Sequence, residues 1–302
     1  MKIYMTKPHL ILVSISIVLF LPKLSFACST CLVGDPTLTA LGAEKPYENR
    51  LRLSVDYLNR DEEIGVEGVD LKIIDENRLN LNLAWAPNRR WMFGLSLPWV
   101  DRELTKTTLE KESVSTPGDI SINFKNYLQE HDSFQSHMYG LLGGVRFGTA
   151  EEQFNNGQVL DFDVQPGTGA TTVNVGAWYA HFEFPWMMYT STAYFVSGEG
   201  FQEFQAGDAW TFNAFGQYAK DYELAFQLGL EARWSEKDQF SSVEDPNSGG
   251  FIAFIAPAVI YTLQEDLLLN FIIKLPVVKE LNGNHEEGTI ITLGVTYDFD
   301  TH

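Results

Sequence analysis

The sequence predicts an all-β chain: a transmembrane, antiparallel, up-and-down β-barrel of about 12 strands, preceded by a cleaved signal peptide. Three observations predict it. From about Asn49 to Phe299 apolar side chains recur at every second position, and a period of two puts them on one face of a strand. The gaps between these segments alternate long and short, as the two ends of a hairpin meander require. Trp and Tyr gather at strand ends, at Trp85, Trp91, Trp99, Tyr222, Trp234 and Tyr297, where a membrane barrel carries its aromatic girdles. A soluble β-sandwich also alternates, but it has no reason to place aromatics at both ends of its apolar face.

At the start of the chain, Lys2 and Lys7 precede the apolar run Leu10 to Leu21, and Ser25 and Ala27 supply small residues for cleavage after Ala27. The run falls short of the roughly 20 residues that a spanning helix needs. The expected organisation is a signal peptide over 1–27, a periplasmic tail over 28–48 and the barrel over 49–302.

The expected strands are 49–60, 76–87, 90–101, 117–128, 134–148, 170–182, 185–197, 207–219, 222–235, 251–263, 265–278 and 287–299. Leu79, Leu81, Leu83 and Trp85 set the register of the second, and Trp91, Phe93, Leu95, Leu97 and Trp99 that of the third. The segments 170–182 and 185–197 alternate least cleanly. Pro257 and Pro276 fall inside strands and lack a ladder donor, so irregularities are expected there. Long connections are expected at 61–75, 101–117, 149–169, 198–206 and 236–250. An even strand number places both termini on the periplasmic side.

Composition fits a barrel in the bacterial outer membrane. Loss of 1–27 removes Lys2, Lys7 and Lys23, leaving 18 Lys+Arg against 40 Asp+Glu, a net charge of −22. This argues against a nucleic-acid partner, which wants basic stripes. Acid residues crowd the long gaps (Asp61, Glu62, Glu63, Glu67, Asp70, Glu151, Glu152, Asp161, Asp163) and read as solvated loops. The expected partners are outer-membrane lipid and lipopolysaccharide, small-molecule solutes and the barrel-assembly machinery.

On this register the lumen is lined by Arg52, Asp56, Asp119, Lys125, Arg146, Glu223, Glu231, Arg233, Lys274 and Asp298, with Asn80, Asn82, Asn123, Asn174, Gln217 and Gln227 between them. Met92, Met138, Leu142, Phe215, Leu268 and Ile272 also point inward. Charges of both signs can fill a barrel with ion pairs or border a water-filled pore, and an inward apolar patch suits a hydrophobic solute.

Cys28 and Cys31 are the only cysteines, spaced as CxxC at the expected mature N-terminus. Such a pair can be a disulfide, a redox-active dithiol or a site for a soft metal ion such as Cu(I). Acylation of Cys28 is a further reading, although Leu24 stands one position off the usual leucine. No haem attachment is expected, because Leu32 and not His follows Cys31. No catalytic residues emerge. Ser136 and His137 are strand neighbours and face opposite ways, and Gln165-Pro166-Gly167-Thr168-Gly169 leads into a strand, unlike a phosphate loop.

Several short motifs resemble the outer-membrane barrel family labelled "MetA-pathway of phenol degradation", a family of transporters. They are Cys28-Ser29-Thr30-Cys31 after a signal peptide, Asn49-Arg50-Leu51-Arg52-Leu53, Pro117-Gly118-Asp119-Ile120, Gly144-Val145-Arg146-Phe147-Gly148-Thr149, Gln165-Pro166-Gly167-Thr168-Gly169 and the closing Tyr297-Asp298-Phe299. The resemblance implies an outer-membrane channel or transporter for small hydrophobic or aromatic compounds, without catalytic residues. Asp300-Thr301-His302 follow the last aromatic, a departure from the usual C-terminal assembly signal. The alternative reading is a structural barrel whose N-terminal CxxC binds metal or carries redox chemistry in the periplasm.

Overall fold

Alternation decides which way each side chain faces, and pairing of the first strand with both the second and the last closes the sheet into a barrel. The computed structural model describes residues 50–128, 136–221 and 223–300. Twelve strands cross the barrel: β1 (Arg50–Ile64), β2 (Lys72–Asn88), β3 (Trp91–Lys106), β4 in two pieces (Lys111–Pro117 and Ser121–Tyr127), β5 (His137–Arg146) and β6 (Thr172–Glu183). They continue as β7 (Trp186–Ser197), β8 (Ala209–Ala219), β9 (Leu224–Ser235), β10 (Gly250–Gln264), β11 (Leu267–Leu281) and β12, again in two pieces (His285–Glu287 and Ile290–Asp300). Each pairs antiparallel with its sequence neighbours. Arg50 lies opposite both Ala86 of β2 and Asp300 of β12, which closes the barrel.

The outer face is apolar and the inner face is not. Leu79, Leu81, Phe93, Leu97, Val175, Phe226, Leu228, Leu293 and Val295 are exposed on the outside. Asp56, Asn82, Asn123, Lys125, Asn270 and Asp298 are buried within. Trp85, Trp91, Trp186, Tyr218, Tyr261 and Tyr297 ring the outside near the tight turns, and Trp99 and Trp210 stand outside toward the loops. Trp91 and Trp99 are about 27 Å apart along β3 at 3.4 Å per residue, which strand tilt reduces to about 20 Å of membrane thickness.

All twelve expected strands are present, including β6 and β7 where alternation was weakest. Several run longer than expected. β1 continues to Ile64, β2 starts at Lys72, β3 reaches Lys106 and β4 gains Lys111–Pro117. The connections expected at 61–75 and 101–117 therefore shrink to 65–71 and 107–110. Beyond the lipid the outward face can be polar, as at Asp61, Glu63, Asp75 and Asp101, so apolar alternation stops while the strands go on. Next to Pro276 the β10–β11 register shifts, from Ala253 opposite Val278 to Phe254 opposite Pro276. Pro257 keeps its place opposite Leu228 of β9.

The loop end is layered. The 147–171 loop turns into the barrel and carries a short hairpin (Phe154–Asn155 with Gln158–Val159) and a 3-10 turn, Phe162–Val164. A three-stranded ribbon of Phe204–Gln205, Gln239–Phe240 and Val243–Glu244 covers it from the side. Phe162 stacks on Phe204 with centroids 4.1 Å apart and meets Phe240 at 5.3 Å.

Candidate functional site

The lumen is the site, and it has three levels. At the loop end a vestibule of about 700 Å³ is walled by Phe162, Phe204 and Phe240 together with Lys72, Lys106, Glu112 and Asp161. Lys72 reaches Asp161 at 2.8 Å and Asp163 at 2.7 Å, tying the inward loop to β2. Burial works against the charge on Lys72, but the two carboxylates outweigh it and hold its ammonium above the usual lysine range.

Below the vestibule lies a charged layer built by the strand extensions. Glu76 is fully buried and takes Arg60 at 2.9 Å, Arg78 at 2.6 Å and Arg102 at 2.5 Å. Arg102 also gives Nη1 to the carbonyl oxygens of Asp163 (3.1 Å) and Gln165 (2.6 Å), so the wall grips the inward loop. Beside this, His285 Nε2 meets Glu62 at 2.7 Å and Arg233 pairs with Glu287, all four buried. Burial pushes the His285 imidazole down, but its hydrogen bond to the Glu62 carboxylate and the charges of Glu62 and Glu287 outweigh it and leave its pKa raised. The carboxyl of Glu62 is pushed up by burial and brought down further by His285 and Arg60, to a net value below the usual range. The surroundings of this contact therefore favour the charged forms of both His285 and Glu62.

Toward the tight turns the lumen becomes aromatic. Tyr127, Met138, Leu142, Trp178, Met187, Tyr189 and Phe215 form one buried cluster. Lys125 is 1 % exposed within it. Its Nζ lies 4.0 Å from the Trp178 ring centroid, 4.6 Å from that of Tyr189 and 5.8 Å from that of Tyr127. Three ring faces around one ammonium make a cation–π cage.

The residues expected to line the lumen fall into place unevenly. Arg52 and Asp298 form a two-pronged pair, both contacts at 2.7 Å, across the β1–β12 seam. Asp56 accepts from Asn82 at 2.7 Å, and Asn82 accepts from Ser96 at 2.6 Å. Lys274 pairs with Glu231 at 2.6 Å. Arg146 gives Nη2 to Thr172 at 2.8 Å. Asp119 sits in the break of β4, where its oxygens accept from the N–H groups of Ala150 and Thr168, each at 3.0 Å, so it latches the inward loop. Glu223 lies in the turn before β9 and is exposed, at the rim and not in the wall. Met138, Leu142 and Phe215 join the aromatic cluster with Met92 against it, whereas Ile272 packs with Ala256 and Ala258. Cys28 and Cys31 lie outside the described residues, as do the signal peptide and the tail.

Glu62, expected in a solvated loop, is buried at 1 %. Arg60, Glu76, Arg78, Arg102, His285 and Glu287 were not anticipated as site residues either. The signal that finds Arg60 and Glu62 is the parity of Asp56 carried past the lipid boundary through Leu58, all buried.

Solved outer-membrane proteins share this architecture. An outer-membrane channel from Pseudomonas putida F1 is similar over 85% of this chain and 98% of its own, at 11% identity and a TM-score of 0.67. It is the fold of an outer-membrane barrel. The translocator domain of the autotransporter NalP from Neisseria meningitidis is similar over 86% of this chain and 92% of its own, at 8% identity and a TM-score of 0.52. The NanC porin is similar over 81% and 98%, at 8% identity and a TM-score of 0.50. No protein-family model and no curated protein matches the sequence. The motif resemblance thus extends to the barrel, and the phenol-degradation label rests on the motifs alone. Among the described residues no group of three or more His, Cys, Asp or Glu side chains is arranged to hold a metal ion.

Proposed function

We propose that this barrel is an outer-membrane channel for small aromatic and apolar solutes, with its loops outside the cell and its tight turns and N-terminal tail in the periplasm. The observation that carries the reading is an aromatic station at each end of the lumen. Phe162, Phe204 and Phe240 wall the vestibule, and Tyr127, Trp178, Tyr189 and Phe215 line the interior near the turns. Inward aromatics gain nothing from lipid: half-buried Phe162 and Phe240 offer flat apolar surface to a ring that enters the vestibule, and the buried cluster below is an aromatic plug that would have to part for it. The motif resemblance to a transporter family and the likeness to a solved channel and a porin support the same reading. The outer apolar belt would sit in outer-membrane lipid, with lipopolysaccharide around the loops, after insertion by the barrel-assembly machinery.

Single-channel recording of the refolded protein in planar bilayers, with and without reductant, tests it. Steady conductance together with flux of small aromatics into liposomes is expected. A barrel that neither conducts nor passes solute would overturn the reading. Conductance that appears only on reduction would make Cys28 and Cys31 part of a gate.

A further inference from the structure

A second, smaller cavity of about 60 Å³ lies between β2, β3, β5 and the inward loop. That volume holds a few water molecules, room for a small polar group and not for a whole solute. Arg78, Arg102 and Arg146 line its polar side together with Asp119 and Asp163, and Phe162 stands on its apolar side. Phe162 and Asp163 also line the vestibule, so the two cavities share a wall at the aromatic station.

The donors at this cavity are not all committed. Arg102 is occupied, with Nε and Nη2 on Glu76 and Nη1 on two loop carbonyls. Arg78 Nη2 lies 2.6 Å from Glu76 as an ion pair, and its Nε is buried without a hydrogen-bond partner. A guanidinium carries five N–H donors, and buried donors left unmatched are costly. The carboxylates in the wall are already engaged, Asp119 by Ala150 and Thr168 and Asp163 by Lys72. The cavity therefore offers N–H donors beside an aromatic ring.

We infer that this cavity is a subsite for the acid group of a small aromatic carboxylate, whose ring lies against Phe162; the inference rests on the channel reading and narrows its solute class. The acid meets Arg78 and Arg146, and Arg is suited to planar, two-pronged recognition of a carboxylate. A neutral aromatic would fill the ring station and leave the donors unmatched.

The test is calorimetric titration of the refolded barrel in detergent micelles with benzoate, acetate and benzyl alcohol, blank micelles subtracted. Benzoate is expected to bind at least about tenfold more tightly than either of the others, the scale of one charged hydrogen bond. Arg78→Gln is expected to weaken benzoate about tenfold and leave benzyl alcohol unchanged, with Arg78→Lys between. Arg146→Gln reports the same loss if Arg78→Gln does not refold, and Phe162→Ala should bring benzoate down to acetate. Benzoate binding no better than acetate or benzyl alcohol overturns the subsite, as does benzoate binding unchanged by both arginine substitutions. Liposome flux is read separately. Flux without benzoate preference removes the subsite alone, and benzoate binding without flux removes the channel reading alone.

Discussion

Arg102 on β3 donates Nη1 to the carbonyl oxygen of Gln165 at 2.6 Å, a contact between the barrel wall and the loop folded inside it. Gln165 is itself 1 % exposed and holds the loop from within, giving Nε2 to the carbonyls of Gln153 and Leu160. The loop is thus a braced insert. Wall residues secure it from several sides: Arg102, Lys72 and Asp119, with Glu112 accepting from the Asp161 N–H at 2.8 Å and Lys106 3.7 Å from the Asp161 carboxylate.

Arg102→Leu should release this insert. Glu76 would keep Arg60 and Arg78, but the carbonyls of Asp163 and Gln165 would lose their donor. Removing one member of a buried charged network costs about 3–5 kcal/mol. A lower urea midpoint is expected, with larger and noisier single-channel currents. Unchanged currents in a folded variant would mean that the loop does not constrict the lumen.

Asp119→Ala and Gly167→Ala should act on the same latch from opposite sides. The first removes the acceptor for two N–H groups, about 3 kcal/mol for a pair of charged hydrogen bonds. The second puts a methyl group where the Asp119 carboxylate already lies. Combining them should add little to either alone, because both break one contact. Limited digestion with a Glu-specific protease reads the outcome at Glu151 and Glu152: faster cleavage in both variants is expected, and protection as in the parent would exclude a latch.

Most of the wall was legible in the sequence, and most of the site was not. Arg52, Asp56, Glu231, Arg233, Lys274 and Asp298 lie on strands whose outer face touches lipid, so apolar alternation fixes their direction. Arg60, Glu62, Glu76 and Arg102 lie where the outer face meets water. There Asp61, Glu63, Asp75 and Asp101 alternate with equally polar inner residues, and the signal vanishes although the pairing continues. Asp119 has the right parity but sits in a strand break, and no periodicity reveals that a loop 30–50 residues later returns to it. The cage around Lys125 is invisible for the same reason, since Trp178 and Tyr189 arrive from β6 and β7.

The His285–Glu62 pair should give the barrel a pH-dependent stability. His285 has a raised pKa in the folded chain, so its contribution is fully present below the unfolded value of about 6.5 and is lost as pH rises through the folded value. Glu62 has a lowered pKa, so its contribution is present above the unfolded value of about 4.5 and is lost as pH falls through the folded value. The pair therefore contributes most between about pH 4.5 and 6.5. Urea unfolding of the parent and of His285→Gln should differ most in that window and converge toward pH 9. A constant difference from pH 5 to 9 would mean that the imidazole does not carry charge.

Lys125 fills its aromatic cage, so vacating the cage should create a site for another cation. Lys125→Met keeps the volume but loses the charge, and about 1–2 kcal/mol of stability should go with a desolvated cation–π contact. Lys125→Ala removes the side chain beyond Cβ and leaves the faces of Trp178, Tyr189 and Tyr127 around an empty space. Tetramethylammonium is of similar size to what was removed, and aromatic cages recognise quaternary ammonium through the same ring faces. Titration with tetramethylammonium chloride should give saturable binding to Lys125→Ala and none to the parent or to Lys125→Met, where the cage is full. Equal binding to all three would place the cation elsewhere. No binding to any would mean that the rings collapse once the ammonium is gone, and that Lys125 holds them apart.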